Sequence, residues 1–171
     1  MHLHRPYKLL ILCNSNSAGS IFAEYLFRLK AGERFQVYSA GSNPIGQIHP
    51  MTLLILREDF GIDASDARSK SWKEFKDKHF DFIITVCDEA KEAAPVWPGE
   101  PITAHWHSPD PLRFTGTPEE VRHFFFEVAA QIAYRIDLFC GLPDPKLDAL
   151  EVQLIGGMQR GCDSRQPRCY Q

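Results

Sequence analysis

Three residues of this chain are of types that do chemistry and stand where secondary structure can present them. Cys13 follows the apolar run from Tyr7 to Leu12 and opens the stretch Cys13-Asn14-Ser15-Asn16-Ser17-Ala18-Gly19-Ser20. Cys87 closes a second apolar run, "FDFIITV", and Asp110 lies in the turn-rich "HSPDP". Small, hydrogen-bonding residues between a strand and a helix let backbone N–H groups converge at the helix N-terminus, which makes an anion site. A thiol beside such a loop is expected to ionise below its ordinary pKa, because oriented N–H groups favour thiolate over thiol. Each residue also has a plain structural explanation. Cys13 and Cys87 can be buried small hydrophobes, and Asp110 can be a turn former before proline.

The elements that must position these residues can be read from periodicity. Tyr7 to Leu12 reads as a buried strand, and Ile21, Phe22, Tyr25, Leu26 and Leu29 follow helical spacing up to a stop at Gly32. Phe35 to Ser39 is a short strand, and His49 to Phe60 a helix stopped by Gly61. Phe80 to Val86 is a buried strand, residues 88–93 a short helix ended by Pro95, and Ile102 to Trp106 a fourth strand. Thr117-Pro118-Glu119-Glu120 supplies an N-cap hydroxyl, a first-turn proline and a capping-box glutamate for a helix reaching about Cys140. A shorter helix is expected from about Lys146 to Ile155. Strands alternating with helices predict an α/β fold with a mainly parallel sheet, whose ligands sit beyond the carboxyl ends of the strands. That rule alone brings Cys13, Cys87 and Asp110 to one edge.

Composition narrows the classes. The 171 residues carry a net charge of −3, with 44% hydrophobic and 24% charged residues, as expected of one soluble domain without a basic footprint for nucleic acid. No apolar run is long enough to span a bilayer, and the run before Cys13 is too short for a signal peptide. A cytoplasmic protein without nucleic-acid or membrane partners is therefore expected. Five irregularly spaced cysteines do not describe a secreted disulfide framework. His105 and His107 lack a CxxC or HxxxH-type partner, so no metal centre is expected.

Beyond these residues, the loop resembles the C-x5-R-S signature of low-molecular-weight protein tyrosine phosphatases and of their relatives, the thioredoxin-coupled arsenate reductases. "YSAGSNPIGQIHP", "GIDASDARSKSWKEF", "FDFIITVCDEA", "PVWPG", "AHW" and "PDP" resemble the reductase branch in the same order, over residues 7 to about 140. The resemblance implies a small doubly wound sandwich with a four-stranded parallel sheet over residues 1–142. "LPDPKLDALEVQLIGG" resembles a C-terminal extension of some bacterial members, here residues 143–156, and residues 157–171 have a disorder-like composition.

The resemblance also assigns roles. Asn14, Ser15, Asn16, Ser17, Ala18, Gly19 and Ser20 would bind the oxyanion, and Cys13 would attack it. Asp110 would be the general acid, and Cys87 the second thiol, closing a Cys13–Cys87 disulfide. No bound cofactor is implied. The reductant would be an external thiol, either thioredoxin or glutaredoxin with glutathione, and the oxyanion arsenate or phosphate. Two positions depart from the pattern: Gly19 stands where the family has its loop arginine, and Ala94 where reductases often carry a third cysteine. Arg57, Arg68 and Lys70 are candidates to replace the missing cation, and Cys162 and Cys169 in the tail are candidates for a redox relay. The expected function is arsenate reduction, weakened by Gly19. The alternatives are phosphomonoester hydrolysis, which needs no Cys87, and a non-catalytic oxyanion-binding role.

Overall fold

A sheet of four parallel strands in the order β2-β1-β3-β4 forms the centre of the computed structural model, which describes residues 5–143 and 149–159. The strands are β1 (Tyr7–Cys13), β2 (Phe35–Gly41), β3 (Phe82–Thr85) and β4 (Ile102–His105). The helices are α1 (Gly19–Ala31), α2 (Pro50–Phe60), α3 (Asp88–Ala93), α4 (Pro118–Cys140) and α5 (Ala149–Gly156). The expected α/β fold with four parallel strands is present. The chain leaves β1 to build β2 on one side and β3 on the other, so the topology reverses beside β1. A cleft opens past the carboxyl ends of strands at such a point.

Alternation along β1 separates two cores. Leu9 and Ile11 join Phe35, Val37, Phe82, Ile84 and Trp106 beneath α1 and α4, whereas Leu10 and Leu12 join Ala40, Phe80, Ile83, Ala90 and Trp97 on the other face. On the larger side Phe139 meets Phe27, Phe35, Phe82 and Trp106 at ring-centroid distances of 5.3–5.8 Å. Fully burying one such ring is worth about 1.5–3 kcal/mol. Register follows from this packing: Cys13 pairs with Gly41, Leu12 with Thr85, and Thr85 with His105.

The helix signals act as their chemistry predicts. Thr117 accepts from Glu120 N at 3.2 Å and opens α4, while Gly61, at φ 66°, closes α2 in the left-handed region. Several boundaries differ from the periodic reading. β2 runs two residues beyond Ser39 because Ala40 and Gly41 stay in register with Leu12 and Cys13 of β1. β3 and β4 are each four residues long. His49 caps α2, accepting from Met51 N at 3.1 Å, rather than starting the helix. Leu29, expected on the buried stripe of α1, is exposed, and the buried face is completed by Ala23, Glu24 and Phe27. The predicted start of the last helix at Lys146 lies outside the described residues. α5 itself lies on β4, with Trp106 Nε1 donating to Val152 O at 2.9 Å. Gly156 passes so close that a Cβ there would stand 2.4 Å from His105 O.

Candidate active site

The loop from Cys13 to Gly19 is held from outside by its carbonyls. Cys13 O accepts from Ser42 N at 3.0 Å, Asn14 O from Asn43 N at 2.9 Å, and Ser15 O from Ile45 N at 3.2 Å. Ser17 O accepts from Thr52 Oγ1 at 3.0 Å and from His49 N at 3.3 Å. In a trans peptide the N–H points opposite to its own C=O. Fixing these carbonyls outward therefore turns the amides of Asn14, Ser15, Asn16 and Ala18 inward. Asn16 N accordingly donates to Cys13 Sγ at 3.1 Å. The turn is possible because Asn16 occupies the left-handed region at φ 47°, which asparagine tolerates better than most residues. α1 adds its own donors. Phe22 N bonds Ala18 O at 2.8 Å, so the amides that precede it in the helix have no intrahelical acceptor.

A buried polar chain runs behind this cradle. Lys70 N donates to Asn16 Oδ1 at 2.9 Å, which fixes the amide so that Asn16 Nδ2 donates to Ser20 Oγ at 2.8 Å and Ser39 Oγ at 3.0 Å. Ser20 Oγ, already an acceptor, has its proton free for Cys13 Sγ at 2.8 Å. Lys70 Nζ lies 3.2 Å from Ser39 Oγ and 3.9 Å from Glu24 Oε1, with both charged side chains at least nine-tenths buried. Burial pushes the Glu24 carboxyl up and the Lys70 ammonium down, while their mutual attraction opposes both shifts.

Cys13, Gly19, Val86, Cys87, Ser108 and Asp110 line one cleft. The structure thus brings the three expected chemical residues together. Cys87 caps α3, its Sγ accepting from Ala90 N at 3.4 Å, and Asp110 accepts from Leu112 N at 3.0 Å. Cys13, Cys87 and Cys140 are free thiols. Cys162 and Cys169 lie outside the described residues.

The expected acidity of Cys13 is not met. Burial pushes its thiol up, against hydrogen bonds from Ser20 and the Asn16 amide, and the Asp110 carboxylate adds to the rise. Cys87 is likewise pushed up to about 11, chiefly by burial. The physical reason is burial, which outweighs the amide and hydroxyl donors, and among the described residues no ion pair offsets it. None of the candidate replacements for the loop arginine supplies one. Arg57 is exposed beside Glu58, Arg68 makes two bonds to Glu74 at 2.7 and 2.8 Å, and Lys70 Nζ is turned to the back of the loop. Gly19 nevertheless leaves room for a side chain. A Cβ there would meet Val86 Cγ2 at 3.7 Å, an ordinary contact.

Several site residues escape the sequence reading. Gly41 is required by close approach, since a Cβ would stand 2.4 Å from Asn14 O. Ser42, Asn43, Thr52 and Ser69 hold the loop from outside, and only Ser42 and Asn43 carry a sequence signal, the polar stretch directly after β2. Arg113 pairs with Glu89 of the cleft and holds its Nε 3.6 Å from Asp110 Oδ2. Ser108 Oγ is buried in the cleft wall with no hydrogen-bond partner among the described residues.

Residues 8–140 match the family model of low molecular weight phosphotyrosine protein phosphatases. The arsenate reductase of Bacillus licheniformis is 34% identical over 131 residues, covering 77% of this chain and 93% of the relative. A solved arsenate reductase in its phosphate-binding state superposes with a TM-score of 0.66 at 26% identity, over 78% of this chain and 96% of that one. A thioredoxin-dependent arsenate reductase of Corynebacterium glutamicum superposes with a TM-score of 0.56 at 27% identity, over 80% of this chain and 64% of that one.

Proposed function

The chain belongs to the low molecular weight phosphotyrosine protein phosphatase family, and from that premise we propose that it is an arsenate reductase acting through Cys13 and Cys87. The observation that carries the reading is the meeting of these two free thiols on one cleft, beneath an inward-facing set of loop amides. A hydrolase of this type needs Cys13 and an acid but has no use for the second thiol.

In this reading the loop amides hold the arsenate oxygens, and Ser108 Oγ donates to one of them. Cys13 attacks arsenic as thiolate, with Ser20 and the Asn16 amide stabilising the sulfur. One oxygen leaves as water, protonated by Asp110. Cys87 then attacks the Cys13 sulfur. The sulfur–arsenic bond breaks, its electron pair stays on arsenic, and arsenite departs. Two thiols become one Cys13–Cys87 disulfide, which balances the two-electron reduction of arsenate. An external thiol of the thioredoxin or glutaredoxin type restores both cysteines. The relay through Cys162 or Cys169 remains part of the proposal, since Ala94 offers no thiol. Such chemistry requires a reducing compartment, consistent with a cytoplasmic location.

Gly19 and the raised thiols predict a slow enzyme, and they are what favours a second reading, oxyanion binding without turnover. The two are separated by incubating arsenate with the reduced protein and a dithiol. Arsenite formation with matching loss of dithiol supports the reductase. Protection of Cys13 from alkylation by arsenate, without arsenite, supports the binding role.

A further inference from the structure

The sheet assembles another cluster just beyond Cys87. Thr85 and His105 are register partners on β3 and β4, and Asp88 opens α3 three residues after Thr85. His105, at the end of β4, and His107, two residues later, both turn to Asp88. Nε2 of His105 lies 2.8 Å from Asp88 Oδ1, and Nδ1 of His107 lies 3.3 Å from the same oxygen. One donor atom from each of the three residues falls within 4.8 Å of the other two. We propose that Asp88, His105 and His107 form a binding site for a divalent transition-metal ion of the zinc class.

Thr85 Oγ1 lies 2.8 Å from His105 Nδ1 and holds the ring so that Nε2 faces the Asp88 carboxylate. In the tautomer with Nδ1 protonated, Nε2 presents its lone pair to that side, where a bound cation would be shared with the carboxylate. The donor spacing is compatible with a shared ion. With metal–nitrogen and metal–oxygen bonds of about 2.0–2.2 Å, neighbouring donor atoms stand roughly 2.9 Å apart at a right angle and about 3.4 Å at the tetrahedral angle.

The surroundings fit as well. The hydrogen bond between His105 and Thr85 is the kind of outer contact that orients a ligating imidazole. Arg135, buried, donates to His107 O at 2.6 Å and fixes the backbone between the histidines and α4. Asp88 and His107 are exposed, so an ion enters without opening the fold. Two imidazoles and one carboxylate suit zinc, cobalt or nickel, whereas magnesium and calcium prefer oxygen alone. Three protein ligands leave at least one position for water.

The test is a titration of the full-length, tag-free, reduced protein with Co²⁺ followed by absorption, and with Zn²⁺ followed by calorimetry. One equivalent should bind with visible bands of a nitrogen and oxygen environment and without thiolate-to-cobalt charge transfer. His107→Ala, at an exposed position, should weaken binding by at least ~10-fold, as should Asp88→Asn. Thr85→Val should weaken it by ~10-fold or more. Cys87→Ser should leave it unchanged. A thiolate band, binding lost with Cys87→Ser but kept in His107→Ala, or no binding of either ion would overturn the site.

Discussion

The back and the front of the Cys13 loop are built to different standards. Behind it, Lys70, Glu24, Asn16 and Ser39 form a buried network in which every member has a partner. In front, the sulfur has amide and hydroxyl donors but, among the described residues, no cation beside it, and the loop position where the resemblance places an arginine is Gly19. The contrast teaches that the shape of an oxyanion site and its charge are separable. Shape is held by hydrogen bonds from Ser42, Asn43 and Thr52, none of which depends on Gly19. Charge depends on one side chain.

Experiments on each side sharpen the contrast. Cys13→Ser should abolish arsenate turnover, a loss on the order of 10⁴-fold or more, because the attack on arsenic rests on that one sulfur. Cys87→Ser should abolish it as fully, yet leave any hydrolysis of an aryl phosphate untouched. If it also removes hydrolysis, the division of labour between the two thiols is wrong.

Lys70→Met attacks the back. It leaves Glu24 buried with Ser39 and, at 3.4 Å, Arg28 but without its buried counter-ion, and should cost about 3–5 kcal/mol in urea unfolding. A carboxyl whose folded pKa is raised contributes stability below the ordinary carboxylate range and loses it as pH rises through the folded value. The variant's deficit should therefore shrink in acid. A deficit that is the same at every pH would separate Glu24 from the loss.

Gly19→Arg attacks the front. It should raise arsenate turnover by ~10²–10³-fold, the usual worth of one preorganised donor to a developing charge. The midpoint of Cys13 alkylation should fall at the same time. Both thiols are raised in the parent, so the native state keeps protons that the unfolded chain has already released. Parent stability should thus decline as pH climbs from the ordinary thiol range towards about 11, where Cys87 ionises, as thermal unfolding in alkaline buffers would reveal. The smallest expected effect is that of Ser108→Ala, about 1 kcal/mol in arsenate affinity, measured as protection of Cys13 from alkylation.

Much of this was legible in the sequence, for local reasons. β1 and the start of α1 announce themselves by an apolar run, a polar loop and helical spacing, and the carboxyl-end rule gathers Cys13, Cys87 and Asp110. What stayed hidden depends on residues far apart in the chain. Lys70 meets Asn16 across 54 positions, and Asn43 meets Asn14 across 29, so neither has a periodic signature. The cluster of Asp88, His105 and His107 is invisible for the same reason, since only the register of β3 with β4 brings it together. The acidity of Cys13 was misjudged because amide orientation can be inferred from a loop, whereas full burial of the sulfur cannot.

The most direct measurement is a single turnover of the reduced parent protein with excess arsenate and no added thiol, followed by mapping of every cysteine. The account predicts one arsenite released per chain and the simultaneous loss of Cys13 and Cys87 as alkylatable thiols, joined in one disulfide-linked peptide pair. Both thiols still free and no arsenite, in the parent and in Gly19→Arg alike, would contradict it.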